Sequence, residues 1–174
     1  VQNAFIRGNG DILIAVIVDP LPDLTVSLLP TLELILCCAT EHPLARATAV
    51  EAVDLQDHTE LIVSDQRDEP ALAAHHFRSR RIFHMCDFRT KYDAIRHGLG
   101  FGWLPRYMAA KGIASGELAQ LDCAFDNLYR PSPSIATWTG ARIGPAGNII
   151  VEYLHASGWE SRGSSLAMLN QSQS

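Results

Sequence analysis

Gly98-Leu99-Gly100-Phe101-Gly102 is the segment whose residue types and spacing most invite a chemical reading. A dinucleotide-binding loop places G-x-G-x-x-G between a strand and a following helix, so that backbone N–H groups meet the pyrophosphate. Here Trp103 stands where the third glycine belongs, and the order is reversed. A helical pattern precedes the glycines and an extended one follows. The segment reads instead as a helix stop at Gly98, with Gly100 and Gly102 letting the chain turn back tightly into a strand.

Other chemistries have candidates of the right types at the wrong spacings. Cys37, Cys38 and His42 lie close together, as do His75 with His76 and His84 with Cys86, but none has a standard ligand spacing. No metal site is expected. There is no G-x-S-x-G elbow and no H-E-x-x-H. Asp65, Asp68 and Glu69 form a carboxylate cluster that a solvated loop explains. Arg78, Arg80 and Arg81 form the basic cluster; beyond a solvated helix end, it could attract an anionic ligand. No catalytic residue and no cofactor are expected.

The elements that must position these residues follow from the apolar pattern. The 174 residues are 47% hydrophobic and 19% charged, a globular composition with room for a sizeable core. A net charge of -5 argues against nucleic-acid binding by this chain, since phosphate neutralisation needs clustered Lys and Arg. Four cysteines without C-x-x-C spacing read as buried reduced thiols of an intracellular protein. Cys37 and Cys38, adjacent on a strand, should face opposite ways. No signal peptide is expected, and no apolar stretch approaches the ~20 residues of a membrane span. The abrupt start at Val1, already helical in character, suggests a fragment.

Residues 1–7 read as a helix end stopped by Gly8 and Gly10. Strands are expected over 11–18 (buried on both faces), 24–29, 32–39, 58–64, 81–86, 101–104, 118–123 and 135–138. Short helices are expected at 53–57 and 71–77, a longer one from Asp87 as N-cap to Gly98, another at 106–111, and a last one from Gly144 to His155. Loops fill 65–70 and 127–134. The Ser-, Gly- and Gln-rich residues 161–174 read as a disordered tail. Strands alternating with helices give an α/β fold with mainly parallel sheets.

Several of these stretches are similar to a known family. Gly10-Asp11-Ile12-Leu13-Ile14-Ala15 looks like its early strand. His42-Pro43-Leu44-Ala45 followed by Val53-Asp54-Leu55-Gln56-Asp57-His58 resembles its stretch after the second-lobe entry strand. Ile95 through Pro105, with its three glycines, resembles its "G-l-G-i-a-x-l-P" signature, and Gly116-Glu117-Leu118 the G-x-L that follows. Asp87-Phe88-Arg89-Thr90-Lys91 and Gly144-Pro145-Ala146 resemble two of its helix openings. Over roughly residues 5 to 158 the chain is identified as a member of the LysR-type transcriptional regulators, in their effector-binding domain.

That resemblance implies a two-lobed fold of the periplasmic-binding-protein type (type 2), with the first lobe incomplete. Residues 1–30 and 118–160 would be what remains of lobe one, and 31–117 would be lobe two. It implies a small-molecule effector held in an interlobe cleft, a cytoplasmic homo-oligomer, no membrane partner, and DNA contact only through a missing N-terminal helix-turn-helix. Ligands of such folds bind beyond the carboxyl ends of strands, near helix N-termini. In lobe two those places are Ser64-Asp65-Gln66 and Asp87-Phe88-Arg89-Thr90. Ser64, Asp65, Phe88, Arg89 and Thr90 are therefore the expected effector contacts, with Thr90 donating a hydrogen bond and Phe88 packing on an apolar part. A transporter's solute-binding protein and a small α/β enzyme are the rival expectations.

Overall fold

The computed structural model describes residues 5–17, 20–63 and 76–156. The chain divides into two compact units, Val1–Leu32 with Pro131–Ser174, and Glu33–Arg130.

The second unit is built on β3 (Leu34–Ala39), β4 (Thr59–Val63), β5 (Arg81–Met85), β6 (Phe101–Pro105), β7 (Leu118–Gln120) and β8 (Leu128–Tyr129). The sheet order is β5-β4-β6-β3-β7, with β8 paired to the start of β3. All six residues of β3 are buried, as an unbroken apolar run requires when both faces are covered. Side chains alternate across it. Ile35 and Cys37 join one core with Leu61, Ile95, Leu104 and Ala109. Leu36 and Cys38 join another with Leu44, Leu55 and Phe101. The two adjacent cysteines thus face opposite ways, both as free thiols. Helices α2 (Phe88–Arg96) and α3 (Arg106–Ala114) supply Ile95 and Ala109 to the first core. The short α1 (Ala52–Leu55) and a 3-10 turn at Pro43–Arg46 supply Leu55 and Leu44 to the second.

The sheets are mixed, where the sequence pattern suggested mainly parallel pairing. β4 is parallel to β5 and β6, but β3 is antiparallel to β6, β7 and β8. The reason is an insertion. β4, β5, β6 and β7 run the same way, and β3 enters between β6 and β7 in the opposite sense. The sequence also suggested that the chain leaves this lobe at residue 118. Instead Leu118–Gln120 and Leu128–Tyr129 both pair with β3, so the unit runs to Arg130. A turn at Gly116, with φ +77°, brings the chain back along the free edge of β3. The ends of the unit are tied together, Arg130 Nε lying 3.0 Å and Arg106 Nε 2.8 Å from the Glu33 carboxylate.

The first unit has an antiparallel sheet, β1-β9-β2, from Leu13–Ala15, Ser134–Trp138 and Leu24–Leu28. Its core holds Phe5, Leu13, Leu24 and Ala136, with Phe5 stacked on Trp138 at 5.4 Å. Of residues 11–18, expected as a strand buried on both faces, the described ones give only three strand residues. Leu13 is buried and Ile14 is 42% exposed. β1 is an edge strand packed on one face, so its apolar run is not read by two layers. Phe5 and Ile6 close a helical turn that Gly8 ends at φ +80°. Helix α4 (Pro145–Ala156) completes the described part of this unit. The expected helix at 71–77 and the tail at 161–174 lie essentially outside the described residues. No helix among the described residues is long and apolar enough to cross a membrane.

Candidate functional site

The carboxyl end of β5 leads directly into α2. Asp87 sits between them in extended conformation, and its Oδ1 accepts the Thr90 backbone N–H at 2.7 Å. This is an N-cap of the expected type. The Cys86 thiol donates to Asp87 Oδ2 at 3.2 Å and lies 3.6 Å from Thr90 Oγ1. The Thr90 N–H, then the Cys86 thiol, hold the Asp87 carboxyl below its usual range. Asp87→Ala removes the cap and is expected to lower the unfolding midpoint. Urea unfolding followed by far-UV dichroism checks this, with Asp87→Asn retaining most of the effect.

Of the five expected contacts, Ser64 and Asp65 lie outside the described residues. The other three occupy one turn of α2 but point apart. Phe88 is half-buried and packs on the Ile35–Leu61–Ile95 core. Arg89 is exposed, its Nε 3.6 Å from Asp93 Oδ2. Thr90 is exposed beside Asp87 and Cys86. The helix start therefore presents a hydroxyl and a guanidinium to solvent. Its own Asp87 carboxylate already occupies the positive end of the helix dipole. An incoming anion would meet repulsion from the Asp87 carboxylate and attraction at Arg89.

Behind this surface lies a group that sequence reading passed over. Lys91 is 3% exposed. Its Nζ lies 5.8 Å from the Phe88 ring centroid, over the backbone of Gly102 and Leu61. Burial pushes its pKa down to about 7, against the pull of Glu60 and Cys37. The signal was available: 88, 91, 92 and 95 recur at helical spacing, and a lysine stands among apolar residues on that face.

The opposite face of the sheet carries a cavity of about 460 Å³, lined by Phe77, Trp103, Phe125 and Tyr129 among others. No local motif announces it, because its rings come from three separate segments. Elsewhere, the His42 and His58 rings approach to 5.1 Å. Burial, then the neighbouring His58, holds His42 below its ordinary value. No cluster of three or more His, Cys, Asp or Glu side chains able to hold a metal occurs among the described residues.

Residues 1–156 match the family model described as the LysR substrate binding domain. The chain belongs to this family. A curated relative, the uncharacterized HTH-type transcriptional regulator YeeY of Escherichia coli (strain K12), is 27% identical over 161 residues, covering 90% of this chain and 48% of that protein. The chain thus spans about half the length of that relative. The regulatory domain of Synechocystis PCC6803 CcmR, in complex with 2-PG, superposes with a TM-score of 0.65 at 18% identity, over 92% of this chain and 79% of that one. Full-length LysG of Corynebacterium glutamicum, with bound effector Arg, superposes with a TM-score of 0.64 at 18% identity, over 89% of this chain and 53% of that one. The shared architecture is the α/β, periplasmic-binding-protein-like fold of LysR-type effector-binding domains.

Proposed function

We propose that this chain is the effector-sensing part of a LysR-type transcriptional regulator, holding a small molecule without transforming it. The family match across residues 1–156 carries this reading. Likeness to regulatory domains that bind 2-PG and arginine supports it. Sensing asks only for differential affinity between two states, on the order of a few kcal/mol, and no reacting group. At a net charge of -5 the chain is poorly suited to neutralise phosphates itself. DNA contact belongs to the helix-turn-helix of such a regulator, acting in a cytoplasmic homo-oligomer.

In the second unit the effector meets Ser64 and Asp65 after β4, and Phe88, Arg89 and Thr90 after β5. Thr90 supplies a hydrogen bond, Arg89 a charge for an anionic group, and the edge of Phe88 an apolar wall. Calorimetric titration of the chain with 2-PG, arginine and a panel of small aromatic and anionic metabolites tests this. At least one is expected to bind, with affinity falling about tenfold in Thr90→Val, the cost of a lost hydrogen bond in a desolvated site. Ligands indifferent to Thr90→Val and Arg89→Ala would put the effector elsewhere. Absence of any binding across the panel would count against sensing by this chain.

A further inference from the structure

We infer that the second unit carries another small-molecule site, on the sheet face away from α2, suited to a small planar aromatic carboxylate. It is separate from the effector contacts proposed above.

The cavity of about 460 Å³ falls within the size range of ligand pockets, roughly 300–1,000 Å³. Its walls are fixed before anything binds. Phe77 lies 5.8 Å from the fully buried Phe101 ring, 6.1 Å from Trp103 and 5.6 Å from Phe125. Trp103 meets Tyr129 edge-on at 6.2 Å. Rings held in this way offer flat apolar area at little cost in side-chain entropy.

The polar groups at the rim differ in what they are free to do. Glu60, buried in β4, accepts the Phe77 N–H at 3.2 Å and holds His76 Nδ1 at 3.1 Å, so His76 is engaged. Asp126 Oδ1 accepts the Leu128 N–H at 3.1 Å, which commits it to its own turn. Arg78 is exposed, and no ion pair or side-chain hydrogen bond to it is found among the described residues. Its backbone has φ +57°, a conformation disfavoured for a residue with a Cβ.

That conformation is enforced from both sides. The Phe77 N–H is held by Glu60, the Ser79 hydroxyl donates to Leu55 O at 3.0 Å, and the Arg80 N–H donates to Gln56 O at 3.0 Å. Strain kept in place by its surroundings, at a residue whose side chain has no partner among the described residues, fits a clamp waiting for a ligand. A free guanidinium beside an aromatic wall selects a carboxylate attached to a flat ring. A cation could meet the ring faces, but it would be repelled by Arg78 and would find the Asp126 carboxylate already engaged.

Three probes sharing one ring separate the possibilities: indole-3-acetate, indole and tryptamine, each titrated calorimetrically into the chain. Indole-3-acetate is expected to bind about tenfold or more tightly than the other two, as a charge-assisted hydrogen bond implies. Arg78→Gly should abolish that preference while leaving the thermal midpoint equal or higher, because glycine accepts the positive φ. Thr90→Val should change nothing, which keeps this result distinct from failure of the effector reading. Equal binding of the three probes would overturn the proposal, as would a preference for tryptamine or no binding. So would affinity lost in Thr90→Val rather than in Arg78→Gly.

Discussion

Gly100→Ala is expected to cost the second unit about 3 kcal/mol or more of its stability. A Cβ on Gly100 would meet the Thr59 carbonyl oxygen head-on, and would lie 2.9 Å from its carbonyl carbon and 3.0 Å from its Cβ. The obstacle is backbone, and that backbone enters β4, whose Glu60 pairs with Phe101 one residue further along. Neither strand can withdraw without opening the parallel pair. Overpacking of this kind costs roughly 1–3 kcal/mol even where side chains can give way, against a total stability of about 5–15 kcal/mol for an ordinary domain. Gly98 offers the control. It has φ +77° but nothing within 4 Å of a Cβ, so Gly98→Ala should cost only about 1 kcal/mol. Urea unfolding of the two variants side by side decides the matter. Equal midpoints would mean that the close approach of Thr59 is not a real constraint.

The same glycines show what could be read from sequence. Their presence marked a helix end and a return into a strand, and both are there. Their separate reasons could not be read. Gly98 adopts a left-handed conformation, Gly100 admits the Thr59 carbonyl, and Gly102 makes room for the Lys91 side chain, whose Cε would stand 2.7 Å from a Cβ there. Only the first reason is local. The others need the neighbouring strand and the helix above it.

Strand existence was legible for a similar cause. The run at 34–39 is apolar because both faces are covered, and that burial is written in the residues themselves. Pairing was not. The helix-by-helix rhythm gives β4, β5, β6 and β7 a common direction, but nothing local says that β3 inserts between β6 and β7 the other way. At the candidate site, the Asp87 cap followed from residue type, since its partner Thr90 is three residues on. The aromatic cavity did not, because Phe77 and Trp103 lie far in sequence from each other and from Phe125 and Tyr129.

Lys91 carries the other large effect. Its pKa of about 7 in the folded chain compares with an ordinary 10.5. Below pH 7 the ammonium is charged in both states, and the folded state bears the full cost of burying it. Above 10.5 both states are neutral and the cost is gone. Stability is therefore expected to climb as pH rises through 7, by about 1.4 kcal/mol per pH unit while only the unfolded chain holds the proton. The buried thiols bound the useful window from above. Burial pushes Cys37 and Cys38 up to about 12 from 9.0, so above about pH 8.5 their ionisation in the unfolded chain begins to favour unfolding. Between pH 7 and 8.5 the lysine should dominate the second unit, contributing about 2 kcal/mol. Lys91→Met keeps the stem that fills the space over Gly102 and removes the charge. It should raise stability at pH 6.5 by several kcal/mol, as replacing a poorly compensated buried charge does, and flatten the profile from 7 to 8.5. Native-state amide exchange of β3, whose six residues are all buried, reads the stability of this unit directly. Parallel pH profiles for the parent chain and Lys91→Met would show that the lysine is not buried as a charge. A Lys91→Met variant less stable at pH 6.5 would show that Glu60, the carboxylate that draws its pKa upward, compensates that charge after all.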